Sequence, residues 1–104
     1  MYARVTAFEL DILRSPLKDA LRLFEDRVLP ELRIQPGYEG AYVLATPAGN
    51  GMLITLWRTE SDAAEGVMSG FYDEQVAKFV TLLREPPGRD HYEVLFGDVA
   101  VHAA

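Results

Sequence analysis

Two histidines, five tyrosines, one tryptophan and no cysteine are the reactive inventory of this 104-residue chain. His91 stands just after a Pro-Gly turn, where it opens a strand. An imidazole there is either a solvated strand end or a general base, because its ordinary pKa lies near neutrality. Tyr72 falls on the apolar stripe of a helix, and its hydroxyl needs a polar partner, so it is either core or the border of a pocket. Trp57 ends the third strand, and Tyr42 lies in the middle of the second. Each is either packing or an aromatic wall for a flat ligand. Arg4, on the first strand, is a solvated edge charge or an anchor for an anion. Gly66, Met68, Gly70 and Phe71 form either a simple helix break or a mobile segment over a pocket mouth, with glycines as hinges and Met68 and Phe71 as adaptable apolar lining. The candidate catalytic residues are therefore His91 and Tyr72. The candidate substrate-binding residues are Trp57, Tyr42, Met68, Phe71 and Arg4.

Stronger motifs are missing. The sequence has no glycine-rich phosphate loop, no cluster with metal-ligand spacing and no Ser/His/Asp pattern. Without cysteine, disulfides, thiolate catalysis and cysteine-bound metals are excluded. No metal and no cofactor are expected.

The elements that position these residues follow from periodicity and punctuation. Tyr2 to Leu10 reads as a first strand. Ser15 and Pro16 read as N-cap and first helical residue, followed by an apolar stripe of Leu17, Ala20, Leu21, Phe24, Val28 and Leu32. Pro30 predicts an end or kink near Leu29. Gln35-Pro36-Gly37 is a turn. Strands follow at Tyr38–Ala45 and Met52–Arg58, with a hairpin between them. Ser61 is the expected cap of a short helix. A break around Gly70 precedes a longer helix from Tyr72 to Arg84, whose stripe is Tyr72, Val76, Phe79, Val80 and Leu83. Glu74 and Lys78 make an i,i+4 pair on it. Glu85-Pro86-Pro87-Gly88 stops that helix, and His91 to Val101 is the fourth strand. This order is the α+β, ferredoxin-like split βαββαβ: a single domain over residues 1–104 with a four-stranded antiparallel sheet and helices on one face.

Charge and hydropathy narrow the partners. The composition, 49% hydrophobic and 25% charged, is that of a globular chain, and the net charge is −6. Nucleic acid is not expected, since no basic cluster is present. Neither a signal peptide nor a membrane-spanning run is visible, so a cytoplasmic protein is expected. Strands three and four are apolar on both faces: Met52, Ile54 and Leu56 oppose Leu53 and Trp57, and Tyr92, Val94 and Phe96 oppose Leu95, Val99 and Val101. Helices cover one face only, so a second copy of the sheet is expected over the other, giving a homodimer. Thr55 interrupts the Leu53/Trp57 face, and a pocket lining is one reason for a polar residue there.

The stretch from Gln35 to Leu44, with its Pro-Gly-aromatic-x-Gly pattern, resembles the antibiotic biosynthesis monooxygenase-like group of the dimeric α/β-barrel superfamily. So does the stretch from Leu53 to Ala63, a strand ending in Trp57 followed by the Ser61-Asp62 helix start. Tyr92-Glu93-Val94 fits as well. The resemblance implies a sheet-on-sheet dimer, a dimeric α/β barrel, with a pocket between sheet and helices in each protomer. It also implies a cofactor-independent monooxygenase of small aromatic or polyphenolic substrates, or a non-catalytic ligand-binding or stress-related homodimer of the same fold. Haem-degrading members carry an Asn on the first strand and a His on the second helical region. This chain has neither between Tyr2 and Leu10 or between Ser61 and Glu85, so haem degradation is not expected.

Overall fold

The computed structural model describes residues 1–100. Its elements are β1 (Tyr2–Glu9), α1 (Leu17–Leu23), a π-helical turn (Phe24–Val28), α2 (Leu29–Arg33), β2 (Tyr38–Ala45), β3 (Asn50–Trp57), α3 (Glu60–Met68), α4 (Phe71–Ala77) and β4 (Gly88–Glu93). The sheet order is β2-β3-β1-β4 with every pair antiparallel. The fold is the expected ferredoxin-like one.

Register divides the sheet into two faces. Arg4 lies opposite Thr55 and His91, and Thr6 lies opposite Leu53 and Arg89. Across β2, Ala41 meets Thr55 and Val43 meets Leu53. Directly paired residues share a face, so these side chains all point toward the helices. There Trp57 packs with Phe24, Val28, Leu32 and Ala63 as the buried core. Tyr38 meets the indole edge-on, with centroids 5.9 Å apart.

The helical elements depart from the sequence expectation in instructive ways. Pro30 does not end the first helix. It has no N–H to donate, and the ladder relaxes into the wider π turn just ahead of it before α2 resumes. Lys78 Nζ donates to the Arg27 carbonyl at 2.8 Å beside this irregularity. Helix α1 starts one residue later than expected, with Pro16 at its cap. Thr59, not Ser61, caps α3: its backbone is extended and its hydroxyl accepts from the Asp62 N–H at 3.1 Å.

Helix α4 stops at Ala77 rather than Arg84. The chain beyond it is captured by the end of β1: the Asp11 N–H donates to the Leu82 carbonyl, and the Arg84 N–H to that of Glu9. Val80 leaves the expected stripe and is 67% exposed. Lys78 turns to Glu31 at 3.0 Å instead of Glu74.

The fourth strand is shifted toward the N-terminus of its expected range. β4 runs only as far as β1 offers a partner. Tyr2 pairs with Glu93, and the Val94 N–H meets the Met1 carbonyl as a last rung. Leu95, Phe96 and Val99 follow with no strand to pair against and are exposed. Val101 and His102 lie outside the described residues.

Candidate active site

Between the sheet and the helices lies a cavity of about 290 Å³. Phe8, Leu53, Phe24, Phe71 and Phe79 are among its apolar walls, and Arg4, Thr6, Thr55, Tyr72 and Gln75 are its polar ones. Leu21 and Val43 are lining residues with exposures of 42% and 37%, and they mark the mouth. Arg4, Thr55, Tyr72 and Gln75 are buried. Size, dryness and a handful of polar groups fit a small, largely apolar ligand.

Arg4 reaches its place because β1 aims it at α3. Its Nη1 donates to the Ala63 carbonyl at 3.1 Å. Gly66, one turn further along the same helix, leaves the room: a Cβ at that position would stand 3.0 Å from Arg4 Nη1. Arg4 also stacks on two rings, 5.0 Å from the Trp57 centroid and 5.1 Å from that of Tyr72. Burial lowers the guanidinium pKa, as does Arg89, while Tyr72 raises it. Arg89 stands over Tyr72 as well, at 5.0 Å, so the tyrosine ring touches two guanidiniums.

Tyr72 is held on α4 with its hydroxyl buried and without a hydrogen-bond partner among the described residues. Gln75, one turn on, is fixed by donating to Glu31 Oε2 at 2.6 Å. Lys78 reaches the same oxygen at 3.0 Å. These two hydrogen bonds hold the Glu31 carboxyl below its ordinary pKa and tie α4 to α2.

Solved structures share this architecture. A monooxygenase, ActVA-Orf6 of Streptomyces coelicolor, solved in complex with nanaomycin D, is 18% identical with a TM-score of 0.73, over 96% of this chain and 92% of that one. A provisionally named antibiotic biosynthesis monooxygenase from Nitrosomonas europaea is 18% identical with a TM-score of 0.68, over 92% and 100%. The chain shares the fold of these structures. A MhuD mutant holding two manganese protoporphyrin IX molecules per active site shares it at 11% identity and a TM-score of 0.69, over 96% and 100%. No protein-family description matches the sequence, and no curated protein matches it either.

Within this fold the expected site residues fall into four places. Arg4, Phe71 and Tyr72 line the cavity. His91 and Met68 instead border a second, more open hollow with Ala64, Val67, Arg89 and Asp90. Partial burial and the charges of Arg4 and Arg89 lower the His91 pKa below 6.5, against the opposing pull of Asp90 and Glu60. Trp57 is 1% exposed and belongs to the core behind the cavity, its indole N–H donating to Thr55 Oγ1 at 2.9 Å. Tyr42 is not a wall of this cavity. It pairs with Ile54 on the opposite face of the sheet and is 52% exposed. A strand alternates faces, and Val43 took the inward position.

Gly66 is no hinge either, being buried in mid-helix against Arg4. Gly70, at φ +85°, does make the break between α3 and α4. Sequence reasoning missed Gln75 and Thr6. Helical spacing places Gln75 three residues after Tyr72, and strand alternation places Thr6 two after Arg4, so both could have been found. Among the described residues the cavity wall offers no histidine or cysteine to hold a haem iron.

Proposed function

We propose that this protein is a cofactor-independent monooxygenase of small phenolic ring systems, working as a homodimer. The observation that carries the reading is the cavity, whose wall is aromatic and aliphatic apart from a few polar side chains, the Tyr72 phenol among them. An electron-rich phenol with a free para position needs only dioxygen to become a quinone. The phenolic proton leaves, the para carbon bonds to oxygen, and the peroxide then loses water as its O–O and C–H bonds break. One oxygen atom stays in the quinone, the other leaves as water, and four electrons pass from substrate to oxygen.

The protein's part is to hold the rings in the apolar slot, keep bulk water out and manage the proton. The Tyr72 hydroxyl, free to donate or accept, meets the substrate oxygen. His91, whose pKa is lowered by burial and by Arg4 and Arg89, borders the second hollow rather than the cavity wall and is the candidate base.

Oxygen uptake with a panel of hydroxyanthrones tests the reading, together with ¹⁸O₂ labelling. The expected result is one labelled oxygen per quinone and one per water, at a rate that Tyr72→Phe lowers at least tenfold. Uptake no faster than in buffer, with the same compounds still binding, would favour the non-catalytic ligand-binding homodimer. The position of His91 outside the cavity wall is the observation on that side.

A further inference from the structure

We infer that the ligand of the cavity is an aromatic oxyanion, a carboxylate or an ionised phenol, held by Arg4 with the Tyr72 hydroxyl beside it. The inference rests on reading this cavity as the ligand site.

Arg4 is 3% exposed, yet the Ala63 carbonyl is its one hydrogen-bond acceptor among the described residues, and no carboxylate there forms an ion pair with it. A guanidinium carries five N–H donors, and a buried charge is costly unless it is paired. Stacking on Trp57 and Tyr72 compensates in part. The chain has 16 acidic residues, and none is placed against this cation. The unpaired charge is therefore on offer to something that enters the cavity.

Three further features converge on the same spot. Tyr72 is 7% exposed and its hydroxyl lacks a partner among the described residues, although it belongs to the same cavity wall as Arg4. Gly66 notches α3 where the guanidinium sits. Arg89, which borders the second hollow, stands over the same Tyr72 ring, and across the β1–β4 register it pairs with Thr6. In a protein of net charge −6, this is a local concentration of positive charge. Apart from Thr6, Thr55 and Gln75 the remaining lining is apolar, so a free inorganic anion would fill the charged end and leave most of the wall bare. A neutral ring system would fill the walls and leave the cation unpaired.

Paired probes of the same shape separate these outcomes. 2-Naphthoate and 2-naphthamide differ chiefly in charge, and 4-nitro-1-naphthol supplies an ionised phenol near neutral pH. Calorimetric titration of the wild type is expected to show naphthoate at least tenfold tighter than the amide. The nitronaphthol arm tells whether a phenolate is accepted as well as a carboxylate. Arg4→Met should abolish the preference, weakening naphthoate by tenfold or more and leaving the amide unchanged or tighter.

Gly66→Ala keeps every charge but crowds Nη1, and should weaken naphthoate several-fold with the circular dichroism spectrum retained. That variant keeps the idea testable if Arg4→Met does not fold. Equal affinity for acid and amide in the wild type would overturn the inference, as would displacement of naphthoate by inorganic phosphate at equal concentration. Neither readout involves oxygen. Arg4-dependent naphthoate binding without any oxygen uptake would sink the monooxygenase reading alone. Quinone formation with no preference for the acid would sink this inference alone.

Discussion

Trp57 shows how much one side chain's surroundings decide. Its indole is sealed among Phe24, Val28 and Leu32, and its N–H is satisfied by Thr55. Trp57→Phe would leave a void and an unpaired Thr55 hydroxyl at the cavity wall. The expected cost is about 1–3 kcal/mol, a fall in Tm of roughly 4–20 °C for a domain of this size. Differential scanning calorimetry checks it, and the sedimenting mass should not change, because Trp57 faces the helices. His91 carries a second expectation at this scale. If it takes the substrate's proton as the neutral imidazole, activity falls as the pH drops through a midpoint below 6.5, the direction set by burial, Arg4 and Arg89. His91→Gln should remove that acid limb from the rate profile, and a limb unchanged in the variant would assign it elsewhere. Thr55 is legible in the sequence as the one polar interruption of its strand face, and a cavity does lie against it. Arg4 is legible only as an alternative. An arginine on a first strand is usually solvated, and its burial depends on Ala63 and Gly66, on a helix far along the chain.

Helices α2 and α4 meet through one carboxylate, and that junction makes the element scale testable. Gln75 and Lys78 both donate to Glu31, which lowers its pKa from 4.5. A carboxyl with a depressed folded pKa adds stability above its unfolded value, and that stability is lost as the pH falls through the folded one. Glu31→Gln should therefore lower the urea midpoint at pH 7. The gap to wild type should close as the pH drops below about 4.5. A gap that stays constant down to pH 3 would show the pair to be packing rather than charge. The same elements mark where periodicity stops being informative. The stripe from Tyr72 to Leu83 is visible in the sequence, and most of it lines the cavity, but the end of α4 is not. That end is set by backbone hydrogen bonds to Glu9 and Asp11, which no local pattern encodes. Pro30 reads locally as a terminator. The π turn ahead of it carries the buried Phe24 and Val28 and accepts a hydrogen bond from Lys78 at Arg27, 51 residues away along the chain.

At the scale of the whole molecule, no helix among the described residues is long and apolar enough to cross a membrane. The sheet's outer face is nonetheless apolar. Tyr42, Leu44, Met52 and Tyr92 are each about half exposed there, around Val5, Ile54 and Leu56. Beyond the end of β4, Leu95, Phe96 and Val99 are exposed as well. This demand for a cover is legible in the residue pattern, since two-faced apolar strands need two covers and the chain has helices for one. The fourth strand's shift toward the N-terminus is not, because its length depends on where β1 begins. Ile54 pairs with both Val5 and Tyr42 and so sits near the middle of the face. Ile54→Asp would place a charge at the centre of the proposed sheet-on-sheet seam, and a two-fold interface would carry the change twice. Burying one unpaired charge costs about 3–5 kcal/mol, so the dimer dissociation constant should rise by at least two orders of magnitude. Sedimentation velocity at micromolar concentration should then show twice the monomer mass for the wild type and the monomer mass for Ile54→Asp. Because the cavity lies on the other side of the sheet, the monomeric variant should still bind naphthoate. A wild type that sediments as a monomer would leave the outer face without a second copy as its cover.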